Sequence, residues 1–145
     1  MAVLSGLICS FFMHTIQNNQ EKLLREAIKT RGLTLCMNNT TWQELLEKIH
    51  TTLPFRPAFQ EKLVLEHIPY PEQFDTDPTY ECNWQELPEY IYIEWLRVKP
   101  RLVVHEGMRI PPRIIDIAAE FTSLLNELHI AYEEVENDIL IRAYR

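Results

Sequence analysis

Glycine and cysteine are both scarce in this sequence, and their scarcity excludes several kinds of site. The glycines number three and stand far apart, at Gly6, Gly32 and Gly107. A glycine-rich loop that wraps a phosphate group therefore cannot form. The cysteines also number three, at Cys9, Cys36 and Cys82. Because they make no CxxC pair and their number is odd, we expect neither a disulfide scaffold nor a zinc knuckle, but thiols in a reducing cytoplasm.

Sequence motifs for catalysis and metal binding are absent as well. No HExxH sequence, no spaced Cys/His pair and no GxSxG elbow occurs, although the chain has five histidines. The acidic residues that follow Pro71 do not match a calcium-binding EF-hand loop, which needs a central glycine and a closing glutamate. We therefore predict no metal site, no cofactor and a protein that is not an enzyme.

Length and net charge narrow the class of protein further. With 145 residues, of which 46% are hydrophobic and 24% charged, the chain has the size and composition of one globular domain. Its formal net charge of -7 argues against a nucleic-acid binder, which needs a basic face to attract phosphates.

The first twelve residues, MAVLSGLICSFF, form a short apolar stretch. They are too few to cross a bilayer, and the stretch lacks the Lys or Arg with which an export signal usually begins. We interpret them as a loosely packed arm or as a start codon assigned too early, rather than as an export signal. The domain is then expected to comprise residues 13–145, in the cytoplasm and not in a membrane.

Periodic apolar residues predict three helices. The first spans residues 15–29 and ends near Gly32, which suits a helix C-terminus. The second begins at residues 38–41, whose short polar side chains can accept hydrogen bonds from free backbone N–H groups, and it ends at Pro54. The third has apolar side chains at helical spacing over residues 117–128, and it starts either with Pro112 in its first turn or after Asp116 as a cap that follows a short extended segment.

The strongest strand signal is the β-branched and aromatic run at residues 90–98. We predict a tight turn at residues 99–100 and an antiparallel return at residues 101–105. Shorter strands are predicted at residues 62–66 and on both sides of a hairpin turn at residues 136–138. Because short links favour antiparallel pairing, we predict an α+β fold: a single domain with a mostly antiparallel sheet and helices packed on one face.

Two aromatic residues are expected to be central to the hydrophobic core. Trp95 shares one face of the predicted strand with Ile91 and Ile93, and Phe121 lies in the middle of the apolar stripe of the third helix. The pattern therefore predicts that replacing either residue by alanine is severely destabilising.

Negative charge is concentrated in residues 63–96, which hold eight acidic residues, seven aromatic residues and no Lys or Arg. Aromatic side chains are typical of protein interfaces, and acidic ones steer a basic partner. The contacts predicted for such a partner are Tyr70, Glu72, Phe74, Asp75, Asp77, Tyr80, Glu81 and Trp84. A solvated acidic loop, attached to the core by its aromatic side chains, is an equally good interpretation of the same pattern.

The main concentration of basic residues follows directly, in residues 97–113. If residues 90–105 form a hairpin, Arg97 and Arg101 lie close together and, with His105, could hold a phosphate or carboxylate ligand. This arrangement defines an alternative function as a small enzyme or anionic-ligand binder. Pairing of these arginines with nearby acidic residues such as Glu94 is the interpretation that we favour.

Several stretches of the chain resemble a family of small bacterial proteins of undefined function. They are CMNNTTWQEL, PYPEQFDTD, YIYIEWLRVKPR, IIDIAAEF and IAYEEVENDILIRAYR. The resemblance implies no catalytic residues. In size and charge the chain is also similar to bacterial immunity proteins, which neutralise a toxin. We therefore hypothesise a non-enzymatic protein-binding module, whose partner could be a basic toxin domain, with a homodimer as a further alternative.

Overall fold

The computed structural model describes the backbone of residues 2–145 and the side chains from residue 16 onward. The chain divides into two compact units, Met1–Thr34 and Leu35–Arg145. The predicted arm, residues 1–12, has side chains that lie outside the described residues. Its loose packing and the domain boundary at residue 13 therefore stay predictions.

The first unit consists of one helix, α1 (Ala2–Arg31), which begins earlier than the sequence pattern predicts. It ends at Gly32, whose φ of 66° lies in the left-handed region that glycine adopts without a steric penalty. The backbone N–H of Leu33 donates to the carbonyl of Ile28 at 2.9 Å, as in the standard glycine-terminated helix end. The predicted stop at this glycine is confirmed.

The second unit begins with α2 (Asn39–Thr52), and its start and stop agree with the sequence prediction. Asn38 is the N-cap, and its side chain accepts a hydrogen bond of 2.8 Å from the backbone N–H of Thr41. Leu53 has extended backbone angles, as expected for a residue before proline. The buried side chains of this helix are Trp42, Leu45 and Ile49.

Six strands and a third helix complete the second unit. In chain order they are β1 (Ala58–Leu63), β2 (Ile93–Lys99), β3 (Arg101–Val104), β4 (Arg113–Asp116), α3 (Ala118–Glu127), β5 (Glu133–Val135) and β6 (Asp138–Arg142). Four strands form an antiparallel sheet in the spatial order β1-β2-β6-β5, and β3 pairs with β4 in a separate antiparallel ribbon. The predicted α+β class with a mostly antiparallel sheet is confirmed.

Two strand predictions are wrong. Residues 101–104 do not return along β2, because β1 and β6 occupy both edges of that strand. Pro100 separates the two strands, and its carbonyl accepts a hydrogen bond from the N–H of Ile117 at 2.8 Å, outside either sheet. The first strand lies at residues 58–63 rather than 62–66. It begins directly after Pro57, although prolines such as Pro54 and Pro57 disfavour regular structure around them.

The two faces of the four-stranded sheet have different chemistry. Directly paired residues share a face, so the pairs Val98–Ile139 and Leu96–Ile141 place buried aliphatic side chains on one side. Arg97 and Lys99 alternate with these residues and lie on the other side. In the middle of the sheet, on β2 and β6, one face is therefore apolar and the other carries charge.

A β-bulge explains why Trp95 is not in the apolar core. Lys62 pairs with Trp95, but the next residue, Leu63, pairs with Ile93, so one residue of β2 is left over. The extra residue reverses the alternation, and Ile93 joins the face of Leu96 while Trp95 lies on the charged face, partly exposed. The prediction that Trp95 and Ile93 share one face is wrong for this reason.

The apolar face contributes to a core that also includes both helices of the second unit. The fully buried side chains there include Phe121 and Leu125 of α3 together with Leu45 and Ile49 of α2. Trp84 joins them, with its ring centroid 6.3 Å from that of Phe121. Burial of Phe121 in the middle of the helix confirms the sequence prediction for this residue.

Candidate functional site

The long segment between β1 and the 3-10 turn at Trp84–Glu86, residues 64–83, is attached to the edge of the sheet. Glu61 and Tyr70 exchange two backbone hydrogen bonds of 2.8 Å. One residue before Glu61 on β1, the side-chain amide of Gln60 donates to the carbonyl of Pro71 at 2.8 Å. The segment is therefore an ordered loop, and Tyr70 is held beside the strand that carries Glu61.

The first candidate site is a pocket of about 410 Å³ at this edge, which we name the tyrosine pocket. Its lining residues are Phe59, Glu61, Tyr70, Pro71, Tyr80, Cys82, Asn83 and Glu86. Tyr70 is 75% exposed and Tyr80 49% exposed, so both rings are available to a ligand. Two of the predicted contact residues therefore lie together at a concave site.

The carboxylate of Glu61 is the most unusual group in the tyrosine pocket. Its Oε2 atom is buried, and no donor in the described part of the chain lies within hydrogen-bond distance of it. Burial raises the pKa of Glu61 above its ordinary value, because the charged form loses its hydration. A buried acceptor without a donor is costly, and because Glu61 as a whole is half-buried and lines the pocket, an N–H donor there would offset the cost of its desolvation.

A second group of charged side chains, the Asp138 cluster, comprises Asp138, Arg97, Lys99 and Arg101. Asp138 is 0% exposed. Its Oδ2 accepts hydrogen bonds from Arg97 Nε at 2.7 Å and from Lys99 Nζ at 3.0 Å. Its Oδ1 accepts one from an Arg101 terminal nitrogen at 2.6 Å. One carboxylate thus joins cations from two strands that do not pair with each other.

The hairpin turn before β6 positions this carboxylate. Glu136 and Asn137 have φ values of 51° and 71°, the two consecutive positive values of a tight hairpin turn. The carbonyl of Asn137 accepts a second hydrogen bond from Arg101 at 2.6 Å. The predicted hairpin is confirmed, but its third residue, Asp138, belongs to the strand and not to a solvated turn.

The protonation states in the Asp138 cluster follow from opposing effects. Burial alone would raise the pKa of Asp138, but hydrogen bonds from Lys99, Arg101 and Arg97 outweigh it, and the pKa lies below its ordinary value. Burial would lower the pKa of Arg101, but hydrogen bonds to Asp77 and Asp138 raise it above its ordinary value. Asp138 and Arg101 are therefore both charged near neutral pH.

A cleft of about 560 Å³ opens beside this cluster and is predominantly acidic. Six carboxylates line it, those of Asp75, Asp77, Asp116, Glu134, Glu136 and Asp138. Its two cations, Lys99 and Arg101, both bind Asp138. Because the internal pairs occupy these cations, the cleft presents mainly negative charge to a ligand.

Two of the predicted contact residues are not at the surface. Phe74 is 6% exposed, and Lys99 Nζ lies 5.1 Å from the centroid of its ring, in a cation–π contact. Trp84 is 0% exposed, and its indole N–H donates to the carbonyl of Pro57 at 2.9 Å. These aromatic side chains attach the acidic loop to the protein, as the alternative interpretation of this segment predicts.

Two of the predicted acidic contacts make internal pairs. Asp77 accepts a hydrogen bond from Arg101 Nε at 2.8 Å. A carboxylate oxygen of Glu81 accepts one from the backbone N–H of Arg56 at 2.7 Å. The residues of the predicted set that remain largely exposed and are not occupied by these contacts are Tyr70, Glu72, Asp75 and Tyr80.

The alternative anion site is not assembled as the sequence analysis predicts. Arg97 and Arg101 approach each other through Asp138, not across a hairpin, and both donate to its carboxylate. His105 follows β3, is exposed and does not belong to the Asp138 cluster. Internal pairing of the arginines, which the sequence analysis favours, is found with Asp138 in place of Glu94. Glu94 instead forms an ion pair with Lys62, with 3.3 Å between its Oε1 atom and the Nζ atom of the lysine.

The residues that give each site its character were not predicted from the sequence. Glu61 and Phe59 are two apart and share a strand face, a signal that becomes visible once β1 is placed at residues 58–63. Asp138 directly follows two turn residues and looks like a third one, so nothing local distinguishes it from a solvated aspartate. Lys99, before a proline, was likewise assigned to a turn.

Across the described residues, no group of three or more His, Cys, Asp or Glu side chains could hold a metal ion. In the same part of the chain, none of the helices combines the length and apolar character needed to cross a bilayer.

Fold and sites together define a small α+β protein with an acidic surface and an aromatic pocket that is also lined by carboxylates. The chain belongs to a family of unknown function, DUF6678, whose model matches residues 24–145. No curated protein and no solved structure matches it. The resemblance to a family of undefined function is thereby confirmed, and the function has to be argued from the sites themselves.

Proposed function

We propose that this protein is a binding module that recognises a basic protein partner through the acidic surface of residues 63–96. The observation that carries the proposal is the exposure of five carboxylates in this segment that has no Lys or Arg. They are Glu66, Glu72, Asp75, Glu86 and Glu89. Among the described residues, none of these five forms an ion pair, so their charge is available for a partner.

The acidic residues of the segment fall into a paired and an unpaired group, and this division supports the proposed function. Asp77, Glu81 and Glu94 pair with internal cations, and these contacts hold the loop in place. The remaining carboxylates are not needed for such pairs. Exposed like charges raise the electrostatic free energy of the folded chain, and a basic partner would remove that penalty while gaining a faster association rate.

A more specific form of the proposal is that the partner is a toxin and that the protein acts as an immunity protein. A toxin that attacks nucleic acid needs a basic surface for its substrate, and an acidic protein can compete for that surface. Neutralisation of the toxicity of the captured partner, when both are produced in one cell, tests this form directly.

We predict that Glu72→Lys combined with Asp75→Lys weakens partner binding but leaves the fold intact. Both side chains are exposed, and exposed charge changes usually alter stability by no more than about 0.5 kcal/mol. Reversing two charges at the surface should slow association by about tenfold at low salt, and added salt should reduce the difference. Affinity capture from host cells identifies the partner, and stopped-flow mixing then measures the rate.

The matched control is Glu44→Lys with Glu47→Lys on α2, which changes the net charge by the same amount outside the acidic segment. We expect a basic protein to be captured by wild type and control and to be lost with the variant. Equal capture by variant and control would refute the proposed surface. Asp77 is unsuitable for this test, because its pairing with Arg101 would confuse binding with folding.

A further inference from the structure

We infer that the tyrosine pocket binds an organic cation, the ammonium or guanidinium group of a Lys or Arg side chain on the partner. This inference rests on the proposed function, which it deepens by naming the anchor residue of the partner. The pocket adds aromatic rings and a half-buried carboxylate to the acidic surface, and these are the groups that a desolvated cation needs.

The geometry of the pocket favours a single side chain as its occupant. Its volume of about 410 Å³ lies toward the lower end of roughly 300–1,000 Å³, the usual range for small-ligand pockets. Glu61 and Phe59 come from the rigid edge strand, and the backbone pair between Glu61 and Tyr70 fixes the position of the loop. The site is therefore preformed, which reduces the entropy lost on binding.

The chemistry of the lining excludes other classes of occupant. An anion would be repelled by Glu61 and Glu86, since no Lys or Arg lines the pocket. A neutral apolar group would remove water from the half-buried carboxylate of Glu61 and supply no donor in its place. A hard metal ion requires several oxygen ligands in one place, and the described residues offer no such group. A cation with N–H donors satisfies the carboxylate and contacts the ring faces of Tyr70 and Tyr80.

The titration behaviour of the lining groups is consistent with a site made for positive charge. The ionisable groups around Glu61 are Tyr70, Tyr80 and Cys82 from the loop and Glu86 from the 3-10 turn. Burial raises the pKa of Cys82, with the charge of Glu61 adding to the effect, and burial also raises the pKa of Tyr80. The thiol and this phenol are thus neutral near pH 7, and carboxylates supply the charge.

The test uses the full chain and two defined probes, N-acetyl-argininamide and n-butylammonium, titrated while backbone NMR signals are recorded. We expect saturable binding with the largest shifts at Glu61, Tyr70 and Tyr80. The neutral analogue N-acetyl-norleucinamide should not bind. Glu61→Gln should weaken binding of both cations by at least about tenfold, because it removes the charge and keeps the shape.

Glu86→Gln is the matched control, since it removes one charge from the same pocket at an exposed position. We expect it to weaken binding by less than about threefold, in line with the small energies of exposed pairs. Affinity should also fall as pH is lowered through the raised pKa of Glu61, and this dependence should disappear in Glu61→Gln. Equal binding by wild type and Glu61→Gln, or no saturable binding of either probe, would overturn the inference.

A structural role of Glu61 is distinguished by thermal unfolding. Glu61 is half-buried, and its Oε2 atom has no donor among the described residues, so removal of its charge should leave the melting temperature at pH 8 unchanged or higher. A lower melting temperature would identify the carboxylate as structural and refute the inference. The two proposals fail separately. Cation binding without recruitment of a basic partner would refute only the proposed function. Recruitment that is unaffected by Glu61→Gln would refute only the pocket.

Discussion

Replacing Asp138 by asparagine should lower the free energy of unfolding by about 3–5 kcal/mol, the cost of removing one partner from a buried ion pair. The change keeps the volume of the side chain and removes its charge. Arg97 and Arg101 retain other carboxylates nearby, Glu136 and Asp77. Lys99 would become a buried cation without its ion-pair partner, because its side chain is 5% exposed and its ion pair is with Asp138. Urea denaturation followed by tryptophan fluorescence measures the effect.

A second change separates loss of charge balance from loss of shape. Lys99→Met removes the buried cation, so the double variant Asp138→Asn with Lys99→Met should recover part of the lost stability. Glu136→Gln is the control, since its side chain is 83% exposed and lies 3.5 Å from Arg97. We expect that control to cost less than about 1 kcal/mol. A loss below about 1 kcal/mol in Asp138→Asn itself would contradict the structural role of the cluster.

The same carboxylate predicts how stability depends on pH. The pKa of Asp138 in the folded protein lies below its ordinary value of 3.8, so the folded state prefers the ionised form. The contribution of this group is therefore complete above the ordinary value and is lost as pH falls through the lower, folded-state pKa. Relative to wild type, the loss of stability caused by Asp138→Asn should shrink in acid, which denaturation curves between neutral pH and pH of about 2 can measure.

Trp84→Ala should be comparably severe, with a loss of about 3–5 kcal/mol. Trp84 is completely buried, and its ring centroid lies 4.9 Å from that of Phe59 in an edge-to-face contact. Truncation would leave a large cavity beside Phe121 and would deprive the carbonyl of Pro57 of its indole donor. Because Trp84 joins the acidic loop to β1 and α3, we also expect the loop to lose its order.

Two further variants test this explanation. Trp84→Phe retains an aromatic ring but not the N–H group, and should lower the free energy of unfolding by an intermediate amount. About 1–3 kcal/mol of this loss would come from the carbonyl of Pro57, which no longer has a donor. Tyr80→Ala, in the same segment but 49% exposed, should change stability by less than about 1 kcal/mol. Calorimetry on the three variants gives the ranking, and equal losses for Trp84→Ala and Tyr80→Ala would contradict the burial that we describe. Trp95→Ala should also be milder than Trp84→Ala, because Trp95 is partly exposed.

The helix and hairpin predictions succeeded where a few neighbouring residues carry the signal. Asn38 caps α2 through a residue three positions away, and Gly32 ends α1 by its own backbone freedom. The hairpin turn at Glu136 and Asn137 depends on two residues with positive φ. Interactions of this kind are decided within a few residues, so the sequence is sufficient to predict them.

The candidate sites were only partly predictable. Tyr70 and Tyr80 were expected at a surface, and both are exposed at one pocket. Phe74 and Trp84 have the same residue types and the same acidic neighbours, but they are buried. Local composition cannot distinguish the two exposed tyrosines from the two buried aromatic residues. The attachment of the loop to β1 decides which of its side chains face the sheet.

By itself, the sequence determined that three helices form, where α1 stops and where α2 starts and stops, the hairpin, and the concentration of negative charge. Only the tertiary structure decided that β2 pairs with β1 and β6 instead of β3, and that Asp138 lies among three cations about 40 residues earlier in the chain. Such contacts leave no short-range pattern, because many strand partners have similar residue types. The choice among them depends on burying the apolar face of the sheet while every charge on the opposite face finds a partner.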